Sequence, residues 1–138
     1  MLASTASESD LAFQREVEAG DVPASAFDHL AHLRLAYVYL CQGDLAQAQH
    51  KMRRALRSFL EANGIPAAKY HETLTRAWVM AVSHFMNRRS SPSFSAFVAH
   101  SQPLLDTQVM LTHYSAAALF SERARAAFVE PDLEAIPG

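Results

Sequence analysis

Apolar residues along this chain return every three to four positions and nowhere alternate singly over the length of a strand, so the pattern predicts helices and no sheet. Leu11, Phe13 and Val17 mark a first short helix over about residues 9–18, stopped at Gly20. Ser25, with Asp28 three positions on, has the form of a capping box and predicts a second helix reaching Gln42, with Leu30, Leu33, Tyr37 and Leu40 at helical spacing. Asp44 after Gly43 reads as the N-cap of a third helix with the stripe Leu45, Ala48, Met52, Ala55, Leu56 and Phe59, closed by Gly64. A fourth helix is predicted from near Pro66 or Lys69 to about Asn87, with Leu74, Trp78, Ala81, Val82 and Phe85 on one face. Gly20, Gly43 and Gly64 each fall where a helical period stops, as residues tolerant of left-handed backbone do.

Beyond residue 90 the periods shorten. A loop leads to a short helix near 94–100, a break at Pro103, short helices near 107–111 and 115–129, and an extended tail over 130–138. With residues 1–8 expected to be disordered, the chain reads as a single all-α domain over 1–138, a compact bundle of about five to seven helices. Its main helices lie in 9–90, and 91–129 holds short helices and loops. Leu35, Ala36, Tyr39, Gly43, Ala48 and Ala55 fall at the spacing of a tetratricopeptide repeat, in which small residues let two antiparallel helices approach. Leu60 stands where that repeat closes with proline, and no second copy follows at a period of ~34 residues. The pattern therefore predicts one helical hairpin, not a solenoid.

Composition narrows the function classes. Half of the residues are apolar and 19% are charged, enough for an ordinary core without disulfides or a structural metal. Cys41 is the one cysteine, so no intramolecular disulfide forms, and MLASTASESD lacks the basic and apolar regions of a secretory leader. The expected location is cytoplasmic. No apolar run approaches the ~20 residues of a membrane span. Residues 1–28 carry six acids and one base, residues 29–90 nine bases and three acids, and residues 91–138 five acids and two bases. Acidic flanks thus have a basic middle to fold against, without any polyanion partner. The basic side of the third helix, Lys51, Arg53, Arg54 and Arg57, lacks interleaved aromatic platforms and reads as a solvated face, so nucleic-acid binding is not expected.

Candidate chemistry concentrates in the histidines, seven in number. In FDHLAHL, His29 and His32 are three positions apart, ~60° around a helix, so both rings point to one side. In KYHETLT, His71 lies seven positions before Trp78, at the upper end of the fourth helix's apolar stripe, whereas Glu72 shares a side with Arg76 and reads as a surface or supporting carboxylate. If the second and fourth helices pack side by side, their first turns bring His29, His32 and His71 to a common interior, with Tyr70 and Thr75 beside them and His113 and Tyr114 in a loop over that end. Three neutral imidazoles suit a divalent metal such as zinc or iron, with His29, His32 and His71 as ligands. A metal-free alternative uses one histidine as acid and another as base, with His32, Tyr70, His71, Thr75, His113 and Tyr114 as the reacting and supporting groups. An inward histidine is also an ordinary satisfied core residue, and His50, His84 and His100 read as surface or boundary positions.

Several motifs are missing. The chain has no Glu-x-x-His for a di-iron bundle, no His-Glu-x-x-His zinc helix, no Cys-x-x-Cys-His haem attachment, no Gly-x-Ser-x-Gly elbow and no Gly-rich phosphate loop.

The words GDVPASAFDHLAHLRLAYVYL, KYHETLTRAWVMAV, LTHYSAAALFS and FVEPDL, spread over about residues 10–135, resemble a family of small, mostly bacterial, all-helical proteins with FxHxxHL and YHxTxT as signature words. That resemblance implies no particular activity. It places His29, His32, Tyr70, His71, Thr75, His113 and Tyr114 in the signature words, where a pure packing module would carry apolar residues. The expectation is a small helical enzyme or ligand-binding protein acting on a small molecule through a histidine-lined pocket, with the cofactor unassigned and homo-oligomerisation open. The alternative is a non-enzymatic interaction module whose hairpin offers a groove to a partner helix or peptide.

Overall fold

The computed structural model describes residues 3–137 of the chain. Seven α-helices follow one another among the described residues: α1 (Glu8–Glu18), α2 (His29–Gln42), α3 (Leu45–Ala62), α4 (Glu72–Arg88), α5 (Phe94–Ala99), α6 (Ala116–Leu119) and α7 (Glu122–Ala126). Four 3₁₀ turns lie at Ala24–Ala26, Ala67–Lys69, Gln102–Leu105 and Val109–Thr112, and there is no strand among the described residues.

The core is the trio α2, α3 and α4, each packed on the other two; α1 lies on α2 and α3, α5 on α2, and α7 on α4. α2 is enclosed on all sides at its centre, where five consecutive residues from Leu35 to Tyr39 are at most 1% exposed, while Leu30 in its first turn is 45% exposed. α3 is one-sided, burying Ala48, Met52, Ala55, Leu56 and Phe59, with Leu45 left exposed. Burying a side chain such as Leu33 or Leu35 stabilises the fold by roughly 1.5–3 kcal/mol, so this central helix holds much of the fold's cohesion. The α2–α3 hairpin turns through Gly43 and Asp44 and seats Leu35, Ala36, Tyr39, Ala48 and Ala55 inside, as the tetratricopeptide-like spacing predicts.

Two helix starts differ from the sequence expectation. Asp28, not Ser25, caps α2: its carboxylate accepts the Ala31 N–H at 2.9 Å, while Ser25 sits in a 3₁₀ turn. Pro66 opens another 3₁₀ turn, and α4 begins six residues later with His71 as its N-cap. Gly20 (φ 78) and Gly64 (φ 65) take the left-handed backbone that ends α1 and α3. Gly43 is extended (φ −171), a conformation open to any residue, so there the turn follows from the Asp44–Gln47 capping box instead.

Thr5 and the residues leading into α1, within the stretch 1–8 expected to be disordered, are tied down, and so is the C-terminal segment. Thr5 donates through N–H to the Ser91 carbonyl (2.9 Å) and through its hydroxyl to the Pro92 carbonyl (3.1 Å), and Tyr37 Oη donates to the Thr5 carbonyl (2.7 Å). Residues 1 and 2 and residue 138 lie outside the described residues. Toward the other end, the Leu133 N–H reaches the His113 carbonyl, Asp132 takes the Ser115 hydroxyl and Ile136 is buried. No helix is long and apolar enough to cross a membrane among the described residues.

Candidate functional site

α2 and α4 lie against each other, and their N-terminal ends, with Leu56, Phe59 and Leu60 of α3, line a cavity of about 280 Å³. His32 comes from α2, Tyr70, His71 and Thr75 from the start of α4, and Phe27, Phe59 and Trp78 supply aromatic walls. Of the residues singled out in the sequence, His32, Tyr70, His71 and Thr75 are thus brought together. Phe27 is half-buried through the 3₁₀ turn before α2 and lies 4.7 Å from the Phe59 ring and 6.1 Å from the His32 ring, centroid to centroid. Its signal in the sequence is the opening letter of FDHLAHL, five positions before His32, whose ring it meets.

His71 is locked in one tautomer. Its Nδ1 accepts the Leu74 backbone N–H at 3.1 Å, so that nitrogen carries no proton, and its Nε2 therefore donates to the Leu119 carbonyl at 2.8 Å. Burial, reinforced by the Arg125 charge, lowers its pKa against the opposing pull of the Leu119 bond. Both nitrogens are occupied, and neither is free to bind a ligand or exchange a proton without breaking the cap.

His32 is the opposite case. Its Nε2 is sealed from solvent and has no hydrogen-bond partner among the described residues. Burial, with a smaller contribution from His29, pushes its pKa down to about 4, so the ring is neutral near pH 7. An unpaired buried ring nitrogen costs about 1–3 kcal/mol and calls for a cause.

His29 does not join them. Its Nε2 donates to the Leu104 carbonyl at 2.9 Å and its ring meets the edge of Trp78, 4.6 Å between centroids, outside the cavity lining. A three-imidazole metal centre at His29, His32 and His71 is therefore not assembled: two of the rings spend Nε2 on backbone carbonyls, and no group of three His, Cys, Asp or Glu side chains among the described residues is placed to hold a metal ion. His113 and Tyr114 do not close over the cavity either. His113 Nδ1 donates to the Glu134 carbonyl at 2.8 Å and Tyr114 Oη to the Val129 carbonyl at 2.7 Å, so both fasten the C-terminal segment to the body. Burial pushes the Tyr114 phenol up to about 12, which keeps it a neutral donor.

Glu72 is not a surface carboxylate. It is 6% exposed and accepts Arg53 Nε at 3.0 Å, Arg53 Nη2, and the Tyr70 hydroxyl at 2.6 Å. Burial raises its pKa, but the Arg53 and Tyr70 hydrogen bonds together outweigh that and hold it below the ordinary carboxylate value. Burial and the Glu72 carboxylate in turn push the Tyr70 phenol up to about 12, so Tyr70 stands at the cavity as a fixed, neutral ring. Behind the aromatic wall the charges are already paired, and the one charged lining residue, Lys69, is exposed.

Among the remaining histidines, His50 and His100 are exposed and His84 is half-buried with its ring edge-on to Phe85. Comparison with protein-family models, with curated proteins and with solved structures finds no match to this chain.

Proposed function

We propose that this domain binds a small, uncharged, mostly apolar molecule carrying one hydroxyl or similar polar group, in the cavity at the N-terminal ends of α2 and α4. The observation that carries the reading is His32 in the lining of a cavity walled by Phe27, Phe59, Tyr70 and Trp78, with a buried, unpartnered Nε2 that a guest reaches once the side chains covering it part. A ligand hydroxyl both donates and accepts, so it satisfies the His32 nitrogen in either tautomer. The volume of about 280 Å³ sits at the small end of ligand cavities, typically ~300–1,000 Å³. The same burial that lowers the His32 pKa disfavours a charged guest.

Binding is favoured over acid/base catalysis on chemical grounds. An effective general base titrates near the working pH, whereas His32 is pushed down to about 4 and His71 has both nitrogens in structural bonds. The interaction-module reading has less support, because the inner faces of the α2–α3 hairpin are packed into the core, Leu35 to Tyr39 and Ala48 being at most 1% exposed, and are not open to a partner helix.

Trp78 is the chain's one tryptophan and lines the cavity, so its emission reports on occupancy. Benzyl alcohol is expected to change Trp78 fluorescence saturably and to bind about tenfold more tightly than toluene, the value of one hydrogen bond to a buried group. His32→Phe should abolish that difference while keeping toluene binding. Equal affinities of the two probes for the native chain, or no saturable response to either, would overturn the reading.

A further inference from the structure

A second concavity, of about 330 Å³, lies at the far end of α4, where the chain turns back through α5. It shares no lining residue with the His32 cavity. Its floor is apolar and formed by Phe85 of α4 and Phe97 of α5, the latter 1% exposed, with buried Ser101 beside them. Its rim is cationic. Arg88 and Arg89 end α4, His100 caps α5, and all three are exposed.

The two ion pairs among the described residues are Arg34–Asp10 and Arg53–Glu72, so neither rim arginine has a carboxylate partner. Arg89 Nη1 instead donates to His100 Nδ1 at 3.4 Å, across the concavity from one helix end to the other. Arg88 stands over the Phe85 ring, 5.8 Å from its centroid. A cation near a helix C-terminus stabilises the helix dipole, which accounts for one arginine there. It does not account for a second one turned toward an imidazole on a different helix.

We propose that this concavity is an anion site for a phosphate monoester with a small apolar group. The dianionic phosphate is held between the Arg88 and Arg89 guanidiniums, and the organic group lies against Phe85, with the buried Phe97 behind it. Two fixed positive charges match a phosphate dianion better than a carboxylate, and the guanidinium fork bonds two phosphate oxygens at once. The apolar floor separates an ester from inorganic phosphate, since only the ester removes apolar surface from water.

The test is a titration of the ¹⁵N-labelled full chain with phenyl phosphate, inorganic phosphate and benzoate, at ionic strength held constant with sodium chloride. Phenyl phosphate is expected to saturate, to move the amides of His100 and Ser101, and to bind about tenfold more tightly than either comparison anion. Arg88→Gln and Arg89→Gln should each weaken it about tenfold, as loss of a charge-assisted hydrogen bond does. Both positions are exposed, so the variants should fold and lose at most the small helix-dipole contribution of one cation, and Trp78 emission should stay unchanged throughout. A linear, unsaturable response, shifts centred instead on Lys51 to Arg54, or undiminished binding in both glutamine variants would overturn the site. Equal affinity for phenyl phosphate and inorganic phosphate would overturn the ester assignment.

Discussion

The backbone N–H of Leu74 donates to Nδ1 of His71 over 3.1 Å, which makes a neutral imidazole the N-cap of α4. The same ring reaches the Leu119 carbonyl through Nε2 and so ties α6 to the start of α4. One side chain thus sets both where a core helix begins and where a late, short helix docks.

His71→Ala removes the cap and leaves the Leu119 carbonyl without its donor, a loss of about 2–3 kcal/mol. Asparagine caps helices well but is too short to replace the ring's far nitrogen, so His71→Asn should recover about 1 kcal/mol of that. Urea unfolding of the two variants checks this. Equal losses would mean that the Leu119 link alone carries the effect.

The two depressed histidines make stability depend on pH in a stated window. An unfolded histidine titrates near pH ~6.5. His32, pushed down to about 4 by burial and His29, and His71, lowered chiefly by burial, stay neutral in the fold below that pH. Between those limits the unfolded chain binds more protons than the folded one, so stability rises with pH. It is fully present above pH ~6.5 and falls as the pH drops, with His32 contributing as much as about 3 kcal/mol by pH 4. Urea midpoints measured from pH 8 to pH 4 should fall steadily below pH ~6.5, and His32→Phe should flatten much of that slope.

Glu72 and Arg53 form a half-buried pair whose halves are worth more together than apart. Arg53→Met leaves a carboxylate that is 6% exposed with only the Tyr70 hydroxyl, and should cost about 2–3 kcal/mol. Replacing both, as Arg53→Met with Glu72→Met, removes the stranded charge and should come within about 1 kcal/mol of the native chain. A double-mutant cycle in urea reads the coupling directly, and additive losses would show that the two groups act independently.

Why some of this was legible in the sequence and some was not has local causes. α3 could be read at both ends because Asp44 with Gln47 and the positive-φ Gly64 are short-range signals. α4 was misplaced at its start because Pro66 is a common first helical residue, whereas histidine is not a usual cap, and only the folded ring reveals that Nδ1 takes the Leu74 N–H. Helical periodicity did turn His32 inward, and His71 lines the same cavity, though from the cap position and not from within α4. Periodicity could not say that His29 would meet the Leu104 carbonyl, 75 positions away, or that Glu72 would find Arg53 on another helix. Those partners are fixed by packing, and periodicity records only which side of a helix a residue faces.

Asp10 offers the sharpest test of how the late helices are held. As the third residue of α1 it accepts the Ser7 N–H at 2.9 Å and completes a capping box with the Ser7 hydroxyl. Its carboxylate also takes the Phe94 N–H at 3.0 Å, the first amide of α5, and Arg34 Nε at 2.9 Å on α2. Burial to 3% exposure raises its pKa, but the two backbone amides and the guanidinium outweigh that and hold it below the ordinary carboxylate value. Its contribution is therefore present above pH ~4 and lost as the pH falls below it, on the acid side of the histidine window. Asp10→Ala leaves two backbone donors and a guanidinium without their acceptor and should cost about 3–4 kcal/mol. Asp10→Asn keeps one acceptor but turns an N–H₂ toward one of those donors, and should cost about 2 kcal/mol. Hydrogen exchange separates a general loss of stability from a local one. If Asp10 docks α5, the Phe94 to Ala99 amides lose protection beyond the global decrease, while those of Leu35 to Tyr39 follow it. Uniform loss at both places would mean that Asp10 stabilises the bundle only through α1.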